Sequence, residues 1–160
     1  MNDKFKETFR EEAEELLVQL ESILLELEDR PTDMELINAA FRAIHTIKGS
    51  AGMFGFEKAG RFTHDLESLL DACRNGQRLV DRHVVDLALR ARDKIRLLLS
   101  EEDSSSEFDQ VALDLMAEFK AAVAGKVEPK PGRKTAEAGD SKSGVPSGKE
   151  TGSIGREEER

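Results

Sequence analysis

At 160 residues the chain is long enough for one domain with its own hydrophobic core. Its formal net charge of −9 has the wrong sign for binding nucleic acid or an anionic membrane surface. No apolar run approaches the roughly 20 residues of a membrane span, and the charged start is unlike a secretory signal, so we expect a cytoplasmic protein without membrane insertion. Cys73 is the only cysteine, which excludes an internal disulfide, and we expect it to pack in the core.

The composition changes near residue 125. From Gly125 to Arg160 the chain has seven glycines, three prolines and only three large aliphatic residues. Such a segment buries too little apolar surface to offset the entropy of ordering it. We therefore predict a folded domain over residues 1–124 and a disordered linker or tail over residues 125–160. If the segment is a linker, a further domain follows it.

Five amphipathic helices follow from the apolar spacing and the turn signals, in chain order. Apolar residues recur at three- and four-residue steps between Asn2 and Asp29, which predicts a long first helix. The proline that follows starts a turn, and either Thr32 or Asp33 is placed to cap a second helix. Glycines at positions 52 and 55 are expected to close that helix.

The third helix is predicted over residues 57–74, where the sequence Asn75-Gly76 stops it. A fourth helix begins after the N-cap candidate Asp81 and runs to about residue 100. After a run of three serines, a fifth helix is predicted over residues 107–124. Because no segment shows sustained two-residue alternation and the connections are short, we predict an all-α, up-down antiparallel helical bundle. A single long coiled coil would not break at so many glycine and proline positions.

One histidine of the second helix lies away from its apolar stripe. At about 100° per residue, His45 sits about 130° around the helix from the centre of that stripe and is expected to face water. Gly49 and Gly52 share its ridge, although a glycine within a helix costs about 1 kcal/mol relative to alanine. Close approach by another molecule is one explanation of this placement. The alternative is a fraying helix end beside an ordinary surface histidine.

The sequence around this histidine resembles a known phosphotransfer segment. The residues from His45 to Gly55, HTIKGSAGMFG, are similar to the phosphoacceptor segment of the N-terminal histidine phosphotransfer domain, or HPt domain, of CheA-type chemotaxis kinases. A second motif of that family matches the residues from His64 to Glu67 in the third helix. The resemblance covers about residues 1–124 and implies a four-helix HPt bundle, here with a fifth C-terminal helix.

The resemblance implies a phosphoryl carrier in two-component signal transduction. His45 would accept the γ-phosphoryl group of ATP from a histidine kinase catalytic domain and pass it to an aspartate of a response regulator receiver domain, CheY-like or CheB-like. Imidazole suits this relay because it is partly neutral near pH 7 and forms a reactive phosphoramidate. No cofactor is expected on this chain itself, since ATP and Mg²⁺ would be used in trans by the kinase domain.

The resemblance assigns Glu67 a role beside the acceptor, and the helix positions of Lys48 and His64 indicate roles for these two residues. Glu67 would orient His45 and fix its tautomer, Lys48 would neutralise phosphoryl charge, and His64 would extend the hydrogen-bond network. The alternative for Lys48 is a solvated surface lysine. Small or apolar residues beside the acceptor are expected to admit the partner domains: Phe41, Gly49, Ser50 and Gly52.

The chain departs from the family kinases because it contains no glycine-rich nucleotide loop with a magnesium-binding asparagine. We therefore expect it to accept phosphoryl groups without phosphorylating itself, its parent being a CheA-type protein histidine kinase. Three alternatives remain open: a stand-alone HPt protein of a multistep phosphorelay, a non-catalytic helical adaptor, and a metal site formed by His45, His64 and Glu67. The outward direction of His45 and the lysine next to it argue against the metal site.

Overall fold

The computed structural model describes residues 3–100 and 107–125. These residues form five α-helices: α1 (Asp3–Asp29), α2 (Met34–Met53), α3 (Glu57–Arg74), α4 (Arg82–Ser100) and α5 (Gln110–Val123). No β-strand occurs in these two stretches, so the predicted all-α class is confirmed. No helix among them combines the length and the hydropathy needed to span a membrane. The predicted tail lies outside the described residues, apart from Gly125 at its first position.

Capping side chains set the starts of α2 and α4, as the sequence predicted. Of the two predicted caps for α2, Asp33 is the one used, because its side chain accepts hydrogen bonds from the backbone N–H groups of Glu35 and Leu36 at 3.0 and 3.3 Å. Asp81 caps α4 in the same way, accepting from the Val84 N–H at 2.9 Å. Both caps satisfy backbone donors that have no partner inside the helix.

The predicted end of α2 was partly wrong. The helix continues through Gly52 to Met53, and the chain turns at Gly55, whose φ of +88° is a conformation that glycine adopts without a Cβ penalty. Gly49 therefore lies a full turn inside the helix and does not belong to a fraying end.

The start predicted for α5 at Glu107 was also wrong, because the helix begins at Gln110. Asp109 is the N-cap, and one of its carboxylate oxygens accepts from the Ala112 N–H at 2.9 Å. The other oxygen accepts from the Nζ atom of Lys94, a buried residue of α4, at 2.6 Å. The cap at Asp109 thus sets where α5 starts, and Lys94 binds that cap from another helix.

The helices pack as an up-down antiparallel bundle with one additional helix. α2 lies between α1 and α3, α4 packs on α1 and α3, and α5 packs on α3 and α4. Phe62 of α3 meets Phe119 of α5 edge to face, with ring centroids 5.6 Å apart. Cys73 is in the core as expected, and burial raises the pKa of its thiol to about 11.

We predict that Asp109→Ala destabilises the domain by about 1–2 kcal/mol, since it removes an N-cap and leaves the buried Lys94 ammonium without its carboxylate partner. Urea unfolding followed by helical circular dichroism measures this. Asp114→Ala is the matched control, because Asp114 is exposed on the same helix and bonds only the Gln110 side chain in the described structure. Equal unfolding free energies for the two variants would show that the cap contributes nothing.

Candidate functional site

The amphipathic pattern of α2 places His45 at the surface. Ile44 and Ile47 on either side of it are completely buried, whereas 60 % of the His45 side chain is exposed. The predicted outward direction of His45 is therefore confirmed. One edge of the ring faces α3, where it meets the candidate partner that the sequence indicated.

Glu67 of α3 binds two side chains of α2 through its two carboxylate oxygens. Oε2 contacts Nδ1 of His45, and Oε1 accepts a hydrogen bond from Nζ of Lys48 at 2.7 Å. Only 10 % of the Glu67 side chain is exposed, so this carboxylate is nearly enclosed between the two helices. His45 and Lys48 are three residues apart and lie on one face of α2, which lets a single carboxylate reach both.

The charge of Glu67 decides which tautomer His45 adopts. Burial alone raises the pKa of the Glu67 carboxyl, but the hydrogen bonds from Lys48 and His45 and the positive charge of Lys48 outweigh it and hold the pKa below its ordinary value. An ionised carboxylate only accepts hydrogen bonds, so Nδ1 of His45 carries the proton that it donates to Glu67. The lone pair of the neutral imidazole is then on Nε2, the nitrogen that Glu67 does not hold.

The other predicted site residues surround this pair at different distances. Nδ1 of His64 lies 3.8 Å from Oε1 of Glu67, which is close enough for electrostatic attraction but too long for a hydrogen bond. Gly49 and Gly52 are exposed, and Ser50 is half-buried. A Cβ atom added to either glycine would meet nothing within 4 Å. Packing inside the domain therefore does not require glycine at these two positions.

The sequence did not indicate the surroundings of Phe41. Its ring is half-buried and lies nearly parallel to the His45 imidazole, with ring centroids 5.8 Å apart and an interplanar angle of 13°. The guanidinium of Arg74, in the last turn of α3, lies 3.9 Å from the centre of the Phe41 ring. Only the i, i+4 spacing of Phe41 and His45 was visible in the sequence. The contact with Arg74 depends on the packing of α2 against α3.

A groove opens beside the site, between α2, α3, α5 and the segment that leads into α5. Lys48, Gly52 and His64 form the side nearest the histidine, and its apolar part comes from Phe108 and Met116. Arg61 also lines it, with its guanidinium over the Phe108 ring at 4.8 Å. The lining is mixed in charge, because Glu57, Asp65 and Lys120 also contribute to it.

Comparison with known proteins shows the family to which these helices belong. The Hpt domain family matches residues 4–105. The chain belongs to this family. It is similar to the chemotaxis protein CheA of Salmonella typhimurium, with 38 % identity over 131 residues, which cover 74 % of this chain and 20 % of that protein. The matched part of this chain thus spans about a fifth of that relative's length.

Two solved structures agree with this family. The CheA phosphotransferase domain from Thermotoga maritima is 39 % identical, with a TM-score of 0.59, and the match covers 62 % of this chain and 94 % of that one. The histidine phosphotransfer domain of CheA determined in solution is 34 % identical, with a TM-score of 0.66, and the match covers 81 % of this chain and all of that one. The predicted HPt fold is confirmed.

We predict that Glu67→Gln reduces the acid sensitivity of the Hpt domain. Because the pKa of Glu67 is lowered by folding, its ionised form stabilises the domain above about pH 4.3, the ordinary glutamate pKa. That contribution is lost as the pH falls through the lower pKa of the folded state. Urea unfolding at pH 7 and at pH 3 should therefore show a smaller loss of stability for Glu67→Gln than for the wild type.

The control for this measurement is Glu15→Gln, because Glu15 is an exposed glutamate of α1. It should lose as much stability between the two pH values as the wild type. If Glu67→Gln also loses that amount, the carboxylate of Glu67 does not contribute through its ionised form.

Proposed function

We propose that this chain is a phosphoryl carrier in a chemotaxis two-component system, with His45 as the phosphoacceptor. The observation that carries the proposal is the contact between ionised Glu67 and Nδ1 of His45. It leaves Nε2 with its lone pair on a side chain that is 60 % exposed. A histidine oriented from one side and open on the other suits repeated phosphorylation and dephosphorylation by partners that arrive from solvent.

The two transfer steps follow from this tautomer. In the first, the Nε2 lone pair attacks the γ-phosphorus of ATP, an N–P bond forms, and the P–O bond to the β-phosphate breaks as ADP leaves with its electron pair. The imidazole becomes positively charged, and the Glu67 carboxylate stabilises that charge through Nδ1–H. In the second, an aspartate oxygen of a receiver domain attacks the phosphorus, and the N–P electron pair returns to Nε2.

Lys48 and His64 are proposed to assist at the phosphoryl group. The ammonium of Lys48 has three donors, and its bond to Glu67 Oε1 uses one of them. The remaining donors are available for a phosphoryl oxygen one helical turn away. His64, 61 % exposed and 3.8 Å from the same carboxylate, adds positive charge when it is protonated. A metal ion is a poorer occupant, because the Lys48 ammonium already neutralises the carboxylate that would bind it.

The partners are proposed from the relatives. Their name, chemotaxis protein CheA, supports a histidine kinase catalytic domain that uses ATP and Mg²⁺ in trans, and CheY-like or CheB-like receiver domains as acceptors. We propose a cytoplasmic location for the same reason, and a CheA-type kinase as the parent protein. A stand-alone HPt protein is the second candidate.

The docking surface is proposed to include Gly49 and Gly52, two glycines beside His45 whose backbone no side chain covers. Gly49 and Gly52 are exposed, and neither is needed for packing within the domain. Glycine within a helix lowers stability by up to about 1 kcal/mol, so these two positions are explained best by close approach of a partner. Ser50 and the adjoining groove extend the same surface.

We predict that His45→Gln abolishes phosphorylation and leaves the helical fold intact, because the side chain is exposed. The measurement is labelling of the chain with γ-phosphate-labelled ATP, with and without a separately supplied CheA-type catalytic domain, followed by acid and base treatment. We expect label that requires the catalytic domain, is acid-labile and base-stable, and is absent from His45→Gln.

His83→Gln is the control, because it removes the third histidine of the chain, a half-buried residue of α4 to which no part in transfer is assigned. It should retain the label. Label that persists in His45→Gln would show that another residue is the acceptor. No label with any of several catalytic domains would favour a helical adaptor without phosphotransfer.

We predict opposite effects of Gly49→Ala on stability and on transfer. Alanine should stabilise the domain by about 0.5–1 kcal/mol through its helix propensity, since the added Cβ meets nothing inside the domain. If partners approach closely here, the same methyl group should raise the half-saturating concentration of the kinase domain. Urea unfolding and labelling at increasing kinase concentration test the two parts, and an unchanged half-saturating concentration would remove Gly49 from the docking surface.

A further inference from the structure

Phe41 and His45 form an aromatic pair on the surface of α2. Their centroid separation of 5.8 Å and interplanar angle of 13° match an offset stack, in which ring centroids lie about 4.5–7 Å apart. The two residues are one helical turn apart, so the backbone itself brings the rings together. The imidazole therefore has an aromatic neighbour in addition to the carboxylate of Glu67.

Arg74 holds the Phe41 ring from the neighbouring helix. Its guanidinium lies 3.9 Å from the ring centre, a distance suited to cation–π attraction. The guanidinium also donates to Asp71 on α3 at 2.8 Å, which limits where it can move. The last turns of α3 thus restrain a ring of α2, and that ring borders the histidine.

Glu67 by itself restrains the imidazole incompletely. A hydrogen bond at Nδ1 fixes one atom of the ring, but a ring that is 60 % exposed can still tilt about that atom. Tilting changes the direction of the Nε2 lone pair, and transfer requires that this lone pair be aligned with the phosphorus atom. A planar neighbour nearly parallel to the imidazole limits the tilt.

We propose that Phe41, held in place by Arg74, is a positioning residue that fixes the plane of the His45 imidazole and thereby the direction of Nε2. This inference rests on the proposed role of His45 as phosphoacceptor. It gives Phe41 a function different from the partner contact that the sequence indicated. The two functions separate kinetically, because a docking contact alters partner binding, whereas a positioning residue alters the transfer step.

The test uses single-turnover phosphorylation of the full chain by a CheA-type catalytic domain loaded with Mg²⁺ and ATP. Phe41→Leu removes the ring while keeping apolar bulk, and it should lower the rate constant at saturating kinase domain by about 5- to 50-fold. The half-saturating kinase concentration should stay within about twofold of the wild-type value. Phe41→Tyr keeps the ring and should restore the rate constant. Phe5→Leu, the same change at a 57 % exposed position of α1, is the matched control.

A double-mutant cycle tests the part played by Arg74. Arg74→Met should slow transfer in the wild-type background but have no further effect in Phe41→Leu, because Arg74 acts through the Phe41 ring. Additive effects of the two substitutions would overturn the proposed connection. Circular dichroism of each variant checks that the helical content is unchanged.

A nuclear magnetic resonance measurement tests positioning without any kinase. The order parameter of the His45 ring C–H bonds should fall in Phe41→Leu and return to the wild-type value in Phe41→Tyr. Unchanged order parameters, or a raised half-saturating concentration with an unchanged rate constant, would overturn the inference. Failure of the proposed function gives a different result, in which His45→Gln is labelled as well as the wild type.

Discussion

The carboxylate of Glu67 is the interaction on which the site depends. It is nearly enclosed between α2 and α3, where burial alone would favour its neutral form. It stays ionised because Lys48 and His45 both bind it, and because it is ionised it can only accept a hydrogen bond from Nδ1–H. The tautomer of His45 is therefore a consequence of helix packing. A slip of α3 by one turn, about 5.4 Å, would separate all three groups.

The register of α2 against α3 is fixed at the turn that joins them. Phe54 and Phe56 flank Gly55, and both rings pack on Phe9 of α1, with centroid separations of 5.6 and 5.5 Å. The Phe56 N–H also donates to the Ala51 carbonyl at 2.9 Å. This end of the helix pair is thus attached to a third helix. The short connection and the three packed rings therefore fix the register of α2 against α3, which brings His45 and Glu67 together.

The parts of the fold that depend on local chemistry could be predicted from the sequence. Asp33 and Asp81 cap their helices through backbone groups two or three residues away, and the exposure of His45 follows from angular spacing alone. The start of α5 was missed, although Asp109 caps it by the same local chemistry; the bond from Lys94 to this cap could not be predicted, because it comes from another helix. Nor could the position of Arg74 over Phe41, since it depends on how two helices pack. The pairing of Lys48 with Glu67 likewise depends on how two helices pack and could not be predicted.

The balance of charge at the site bears on how firmly it would hold a phosphoryl group. In the structure the positive Lys48 and the negative Glu67 neutralise each other, and an imidazole in its nucleophilic, neutral form adds no charge. A phosphoryl group brings about two negative charges, while the imidazole gains one positive charge that Glu67 already stabilises. Lys48 then faces two anions instead of one. Such incomplete neutralisation suits a phosphoryl carrier. A site that neutralised the phosphoryl charge fully would stabilise the phosphohistidine and slow the transfer of its phosphoryl group to an aspartate.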